Sequence, residues 1–167
     1  MIKMIRKGQI EDIPAIMKMV QDTVEIMKEE NNDQWSDVYP TASNFEMDVE
    51  NGSLYVLEEA GEVIGSITVD QNQPSEYEPI PWRKADNAFV FHRLVVSPRS
   101  RGKGEATKLI KYAEQYAIDN EVPYMRIDTY SLNKKAQKLF EKNGYKKVGE
   151  MPYHGKTHPF FCYDKLL

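Results

Sequence analysis

The chain reads as an α/β domain in which strands and amphipathic helices alternate. Three observations predict this class. Apolar residues recur at helical spacing in some segments, as at Ile13, Ile16, Met17, Val20, Val24 and Met27, one face of a 3.6-residue period. Other segments are short β-branched or aromatic runs, such as 89–96 and 124–130, bounded by turn residues. A length of 167 residues suits one domain, 1–167, with room for a proper core.

Taken in order, residues 2–6 read as a first strand. The helix carried by Ile13 to Met27 follows, with Glu11 and Asp12 at its favourable N-terminal end. Residues 31–40 form a loop carrying Trp35 and Tyr39, and a short helix spans 41–49. Asn51-Gly52 turns into a strand at 54–58, and residues 59–62 form a hairpin turn into a strand at 63–70. Residues 71–86 hold three prolines, Tyr77 and Trp82 and read as a long loop. Then come the apolar run 89–96, a helix with apolar positions Ala106, Leu109, Ile110, Ala113 and Ala117, and a strand at 124–130. A helix at 133–143, stopped by Gly144, precedes strands at 145–151 and 160–165.

Bulk properties narrow the function. A net charge of −4 argues against a general nucleic-acid binder, whose contacts need a basic face. The single cysteine, Cys162, excludes an intramolecular disulfide and any multi-cysteine metal site, so no metal is expected and a reducing compartment suits the chain. The segment 1–7 lacks an apolar core of signal-peptide length and no run approaches a membrane span. The expectation is a cytoplasmic protein without membrane or nucleic-acid partners, and the Asn51-Gly52-Ser53 sequon reads as a tight turn.

The segment Arg101-Gly102-Lys103-Gly104-Glu105-Ala106 joins the run 89–96 to a helix N-terminus. Strand, glycine-rich turn and helix start together make a device for holding phosphate. The glycines let backbone approach closely, the first helical N–H groups have no partner within the helix, and the macrodipole favours an anion. No Walker A string occurs. A dinucleotide fingerprint would need a third glycine where Thr107 stands.

What fits is Arg/Gln-x-x-Gly-x-Gly/Ala, met by Arg101, Gly104 and Ala106. This resembles the acetyl-CoA-binding motif of the GNAT superfamily of N-acetyltransferases. An alternative frame starting at Arg99 is rejected because Leu94-Val95-Val96-Ser97-Pro98 sets the usual spacing from strand to loop. The segment from Asn133 through Ala136, Leu139, Phe140 and Gly144 to Tyr145 resembles the superfamily's second signature. Together they cover about residues 87–150; ahead of that only the order of elements matches.

The resemblance implies the GNAT fold: a mixed, mostly antiparallel twisted sheet splayed between its fourth and fifth strands and flanked by about four helices, with acetyl-CoA as cosubstrate in the splay. Leu94, Val95 and Val96 would offer backbone to the pantetheine amides, as an added strand does. The diphosphate would sit on the amides of Arg101, Gly102, Lys103, Gly104, Glu105 and Ala106, with the Thr107 hydroxyl nearby. Asn133 would reach the pantetheine arm, Phe140 would lie near the sulfur, and Lys142 would join the surrounding positive charge. Glu105 departs from the pattern, which has an apolar residue there. A carboxylate near a diphosphate is unfavourable unless it points away to solvent, so this position either weakens the site slightly or marks a side chain turned outward.

The chemistry needs a neutral amine, and an alkyl amine of pKa about 10.4 is less than about 0.1% neutral at pH 7. A base is therefore wanted. His92 titrates in the right range and stands on the strand feeding the loop. Arylalkylamine-type relatives place a histidine there, whereas histone-type relatives use a glutamate two residues earlier, at Val90 here. The other reading of His92 is a core histidine satisfied by backbone. Asp128 is the alternative base or substrate anchor. The tyrosine that relatives place at Phe140 is missing, which leaves the general acid unassigned. Trp35, Tyr39 and Trp82, with Tyr77, lie in loops that overhang the acceptor side in this fold, where an aromatic mouth would suit a cationic amine. The resemblance implies acetyl transfer to a primary amine of a small molecule or peptide by a monomer or homodimer. The alternative is a catalytically weak acyl-CoA-binding sensor or interaction module on the same fold.

Overall fold

The computed structural model describes residues 2–85, 87–100 and 102–167. They fall into two compact units, Met1–Val69 with Phe91–Ala113 and Asp70–Val90 with Glu114–Leu167.

The first unit is built on a sheet of β1 (Lys3–Lys7), β2 (Leu54–Glu59), β3 (Glu62–Asp70) and β4 (Val90–Val96), ordered β1-β2-β3-β4. β1 and β2 pair antiparallel from Lys3↔Glu59 to Lys7↔Tyr55, and β2 and β3 pair antiparallel with a bulge after Leu57. Their hairpin turns through Ala60 and Gly61 at φ 53° and 79°, the left-handed pair that matches strand twist in a two-residue connection. α1 (Ile13–Glu29) starts with Pro14, tolerated where no N–H is required, and α2 (Ala42–Glu50) is closed by a capping box between Thr41 and Asn44. The buried stripe of α1, namely Ile13, Ile16, Met19, Val20 and Val24, packs in one cluster with Phe45, Leu54, Val56 and Val95. Sequence spacing had marked Met17 rather than Met19 as a face residue; Met17 packs at the cluster's edge, partly buried.

The second unit holds a three-stranded antiparallel sheet of β5 (Tyr124–Tyr130), β6 (Lys146–Met151) and β7 (Phe160–Leu166), ordered β5-β7-β6. α4 (Lys134–Lys142) connects β5 to β6, and α3 (Glu105–Asp119) gives its first turns to the first unit and the remainder to the second. The buried cluster comprises Tyr77, Ile80, Val90, Tyr130, Met151, Phe160 and Cys162. Gly149 packs closely there: a Cβ would come within 3.1 Å of the Ile80 side chain, which would have to shift by a few tenths of an ångström. The expected loop is pinned to the core at several described residues. Tyr77 and Ile80 are buried, the Trp82 indole N–H donates to the Tyr77 carbonyl at 2.9 Å, and Arg83 bonds Asp164 at 2.6 Å.

The mixed α/β class with antiparallel sheets matches the expectation, with element ends displaced by one or two residues. The four-strand and three-strand ladders are separate, and the lead-in to β4 meets β5 through one isolated parallel bridge, Phe89↔Met125. Among the described residues, no helix is long and apolar enough to cross a membrane.

Candidate active site

In the first unit the chain leaves β4 at Val96, and Ser97 N–H donates to the Ile64 carbonyl at 2.8 Å, tying the strand end to β3. A tight turn follows, with Ser100 N–H bonded back to the Ser97 carbonyl at 2.9 Å. Arg101, the first residue of the motif, lies outside the described residues. Gly102 and Gly104 have φ of 79° and 78°, and a Cβ at either would meet nothing within 4 Å. Only glycine adopts such angles without strain, so the turn depends on both. The first intrahelical bond runs from Lys108 N–H to the Gly104 carbonyl at 3.0 Å. The amides of Glu105 and Ala106 precede it, at the positive end of α3. Lys103 and Lys108 are exposed, and Thr107 is half-buried.

Glu105 is turned inward, not out to solvent. Its side chain is 1% exposed, and Oε1 accepts a hydrogen bond from Lys3 Nζ at 2.6 Å. A carboxylate at a helix N-terminus is held by the helix dipole. A lysine contributed by β1 lets this one turn inward instead of out. No local pattern signals that partner, which lies 102 residues away.

His92 stands half-buried on β4, between buried Phe91 and half-buried Arg93. Arg93 has φ 48°, which interrupts the strand's alternation as a bulge does. Its guanidinium grips Asp48 of α2 twofold, at 2.8 and 2.7 Å, and donates to the Tyr39 hydroxyl at 3.0 Å. Asp48 also accepts from Thr68 Oγ1 at 2.8 Å. This network braces the backbone beside His92. Of the backbone-donating candidates, Leu94 and Val96 are half-buried, while the Val95 side chain is committed to the core. Trp35 is 8% exposed in that same core, so its ring serves packing.

The second unit carries the other candidates. Asp128, half-buried on β5, accepts a 2.6 Å hydrogen bond from the Tyr77 hydroxyl. Burial foremost, then the Asp128 charge, pushes that hydroxyl well above the usual tyrosine range, so Tyr77 is a neutral donor. Burial and Asp128 together raise the Cys162 thiol to about 12, while burial lowers His154. Sequence reading had placed Tyr77 only as a loop aromatic; its bond to Asp128 spans 51 positions. Trp82 is half-buried, with the Arg126 guanidinium 4.8 Å from its ring. Asn133 caps α4, its Oδ1 accepting from Ala136 N–H at 3.1 Å. Phe140 is 5% exposed against Tyr145 and Tyr163, and Lys142 is exposed in the last turn of α4.

Residues 20–145 match the profile of the acetyltransferase (GNAT) family. Over 141 residues the chain is 25% identical to the uncharacterized N-acetyltransferase YhfO of Bacillus subtilis, covering 84% of this chain and 88% of that protein. A crystal structure of a GNAT-family acetyltransferase from Streptococcus agalactiae superposes with a TM-score of 0.87 at 25% identity, over 99% of this chain and 95% of the other. A solved Staphylococcus aureus chain aligns with a TM-score of 0.77 at 36% identity, over 98% of each chain.

Proposed function

The chain belongs to the acetyltransferase (GNAT) family, and from that premise we propose that it moves the acetyl group of acetyl-CoA to a primary amine of a small molecule or peptide, by direct attack with both substrates bound. Residues 1–167 act as a single catalytic domain on this reading. The observation that carries it is the loop in which Gly102 and Gly104, both left-handed, lead into the first turn of α3. The residues present suit a diphosphate, because the glycines leave the loop open and the leading amides of α3 point a positive dipole end at an anion. The backbone of Leu94 to Val96 offers hydrogen bonds to amide groups. Asn133, Phe140 and Lys142 are carried from the resemblance as contacts of the pantetheine arm and phosphates.

His92 takes the proton from the attacking amine, directly or through a water, because an ammonium has no lone pair to attack with. The braced backbone at Arg93 favours a repeatable geometry for the imidazole beside it. Asp128, held by Tyr77, is the alternative base or an anchor for a cationic acceptor. Acetyl-CoA supplies a thioester whose thiol, of pKa about 8.5, can leave as thiolate without a donated proton, so Phe140 does not forbid turnover. The family's named acetyltransferases do not favour the reading as a silent sensor module.

One experiment tests this reading: calorimetry of acetyl-CoA and amine-dependent thiol release, on the native chain and variants. Gly102→Val/Gly104→Val is expected to stay folded by circular dichroism and to lose most affinity. His92→Ala is expected to keep affinity and lose about 10²–10⁴-fold in rate. Unchanged affinity in the folded double variant refutes the loop assignment. Unfolding of His92→Ala, rather than a slower rate, makes His92 a core histidine.

A further inference from the structure

The first turn of α3 poses an electrostatic conflict. The amides of a helix N-terminus attract anions, yet Glu105 places an anion of the chain's own at that spot. Its side chain is 1% exposed. Oε1 accepts from Lys3 at 2.6 Å, while among the described residues Oε2 has no hydrogen-bond partner and the Lys108 ammonium lies 4.0 Å away. A carboxylate withdrawn from water keeps its field, because little solvent screens it. Left alone, it would repel a diphosphate bound to the same turn.

Lys3 removes that repulsion. It sits on β1 in register with Glu59 of β2, whose Oε2 lies 3.7 Å from the ammonium. The lysine is therefore fixed by sheet pairing and not by a flexible tail. The hydrogen bond to Glu105 is the largest influence holding its ammonium above the ordinary lysine range, so it stays charged across the neutral range. We propose that Lys3 is a positioning residue for acyl-CoA binding: by neutralising Glu105 from β1, it keeps the start of α3 receptive to the cofactor's diphosphate. The proposal rests on the reading that the diphosphate sits on this loop. It makes the departure at Glu105 a two-residue unit, in which the first strand controls the charge of the phosphate turn.

The test is calorimetry on the full chain with two probes, CoA and pantetheine, the second lacking the diphosphate. Lys3→Met is expected to weaken CoA about ten-fold or more, while pantetheine stays within about two-fold. Glu105→Gln is expected to bind CoA about three-fold more tightly, with an affinity that falls more steeply as salt rises, because the freed Lys3 charge adds an attraction that salt screens. Lys3→Met/Glu105→Gln should return to within about three-fold of the native chain, a rescue that a purely mechanical tether between β1 and α3 would not show. Equal losses in both single variants without rescue overturn the proposal, as does full CoA affinity in Lys3→Met. If Lys3→Met does not fold, Glu105→Gln decides alone, and weaker CoA binding there overturns the proposal. Failure of the native chain to bind CoA removes the cofactor reading itself, and this inference with it.

Discussion

The two units answer the same problem, how to keep a carboxylate inside, with different chemistry. In the first unit Asp12, Asp48 and Glu105 are 8%, 4% and 2% exposed, and each is met by a cation: Arg6 at 2.9 Å, Arg93 at 2.7 Å and Lys3 at 2.6 Å. In the second unit a tyrosine hydroxyl meets both buried carboxylates, Glu114 and Asp164, and also half-buried Asp128. Tyr145 donates to Glu114 at 2.8 Å, Tyr124 to Asp164 at 2.7 Å and Tyr77 to Asp128 at 2.6 Å. Lys165 and Arg83 add charge to the first two of these. Cations confer charge-assisted bonds and a defined local field, which suits the unit proposed to receive a polyanion. Tyrosines supply hydrogen bonds together with large apolar rings, which suits a unit whose core is aromatic.

The comparison is broken most directly at Asp48. Asp48→Ala leaves the Arg93 guanidinium, whose side chain is 16% exposed, with the Tyr39 hydroxyl alone among the described residues, and also strips Thr68 of its acceptor. Loss of one partner from a buried pair costs about 3–5 kcal/mol, because an uncompensated charge remains inside. Urea unfolding at neutral pH should show that loss. A change below about 1 kcal/mol would mean that water reaches the pair and that the first unit does not depend on buried charge.

A smaller effect separates the units by pH. Asp12 is held below its ordinary 3.8 chiefly by the Arg6 hydrogen bond. Its contribution is present above pH 3.8 and lost as pH falls through the depressed folded value. The second unit has the opposite sign. Burial raises Cys162 from 9.0 and Tyr163 from 10.0, each to about 12, and raises Tyr77, Tyr124 and Tyr145 as well. The unfolded chain sheds those protons first, so stability is complete below pH 9 and declines as pH rises toward the folded values. From Cys162 alone the decline is about 2 kcal/mol by pH of about 10.5. Thermal melts from pH 8 to 11, on the native chain and Cys162→Ala, measure it. Identical slopes in the two proteins would remove Cys162 from the account.

How much of this was legible beforehand depends on the range of the interaction. The run 124–130 is a strand from end to end, and the glycine turn into α3 stands where its spacing set it, because both follow from local periodicity and backbone freedom. Gly144 ends α4 as the expected left-handed stop, whereas the cap that Asn133 places at its start was not read from the sequence. The pairings that give the site its electrostatics were not legible. Lys3 with Glu105, Arg93 with Asp48 and Tyr77 with Asp128 span 102, 45 and 51 positions, and no composition or period encodes them. The same reason left the inward turn of Glu105 and the positive φ of Arg93 unforeseen. A residue's solvent exposure depends on partners that only the fold supplies.

The smallest expected effect sharpens the second unit's dependence on tyrosine. Phe140 occupies the position where relatives carry a proton-donating tyrosine, and its ring packs 6.2 Å from Tyr145 and 5.8 Å from Tyr163, centroid to centroid. Phe140→Tyr keeps the ring and adds one hydroxyl to a residue that is 5% exposed. The tyrosines of this unit that bond carboxylates are matched to Glu114, Asp164 and Asp128, whereas the Phe140 ring packs against the rings of Tyr145 and Tyr163. A buried hydroxyl without a matched acceptor costs about 1 kcal/mol at the low end, so the variant should melt slightly below the native chain. Its rate distinguishes what the oxygen does. If thiolate departure needs no help, amine-dependent thiol release stays level. If a proton donor was the missing part, release rises despite the lower melting point. A variant that melts higher than the native chain would show that the hydroxyl found an acceptor, and would detach the unit's stability from its tyrosine–carboxylate pairs.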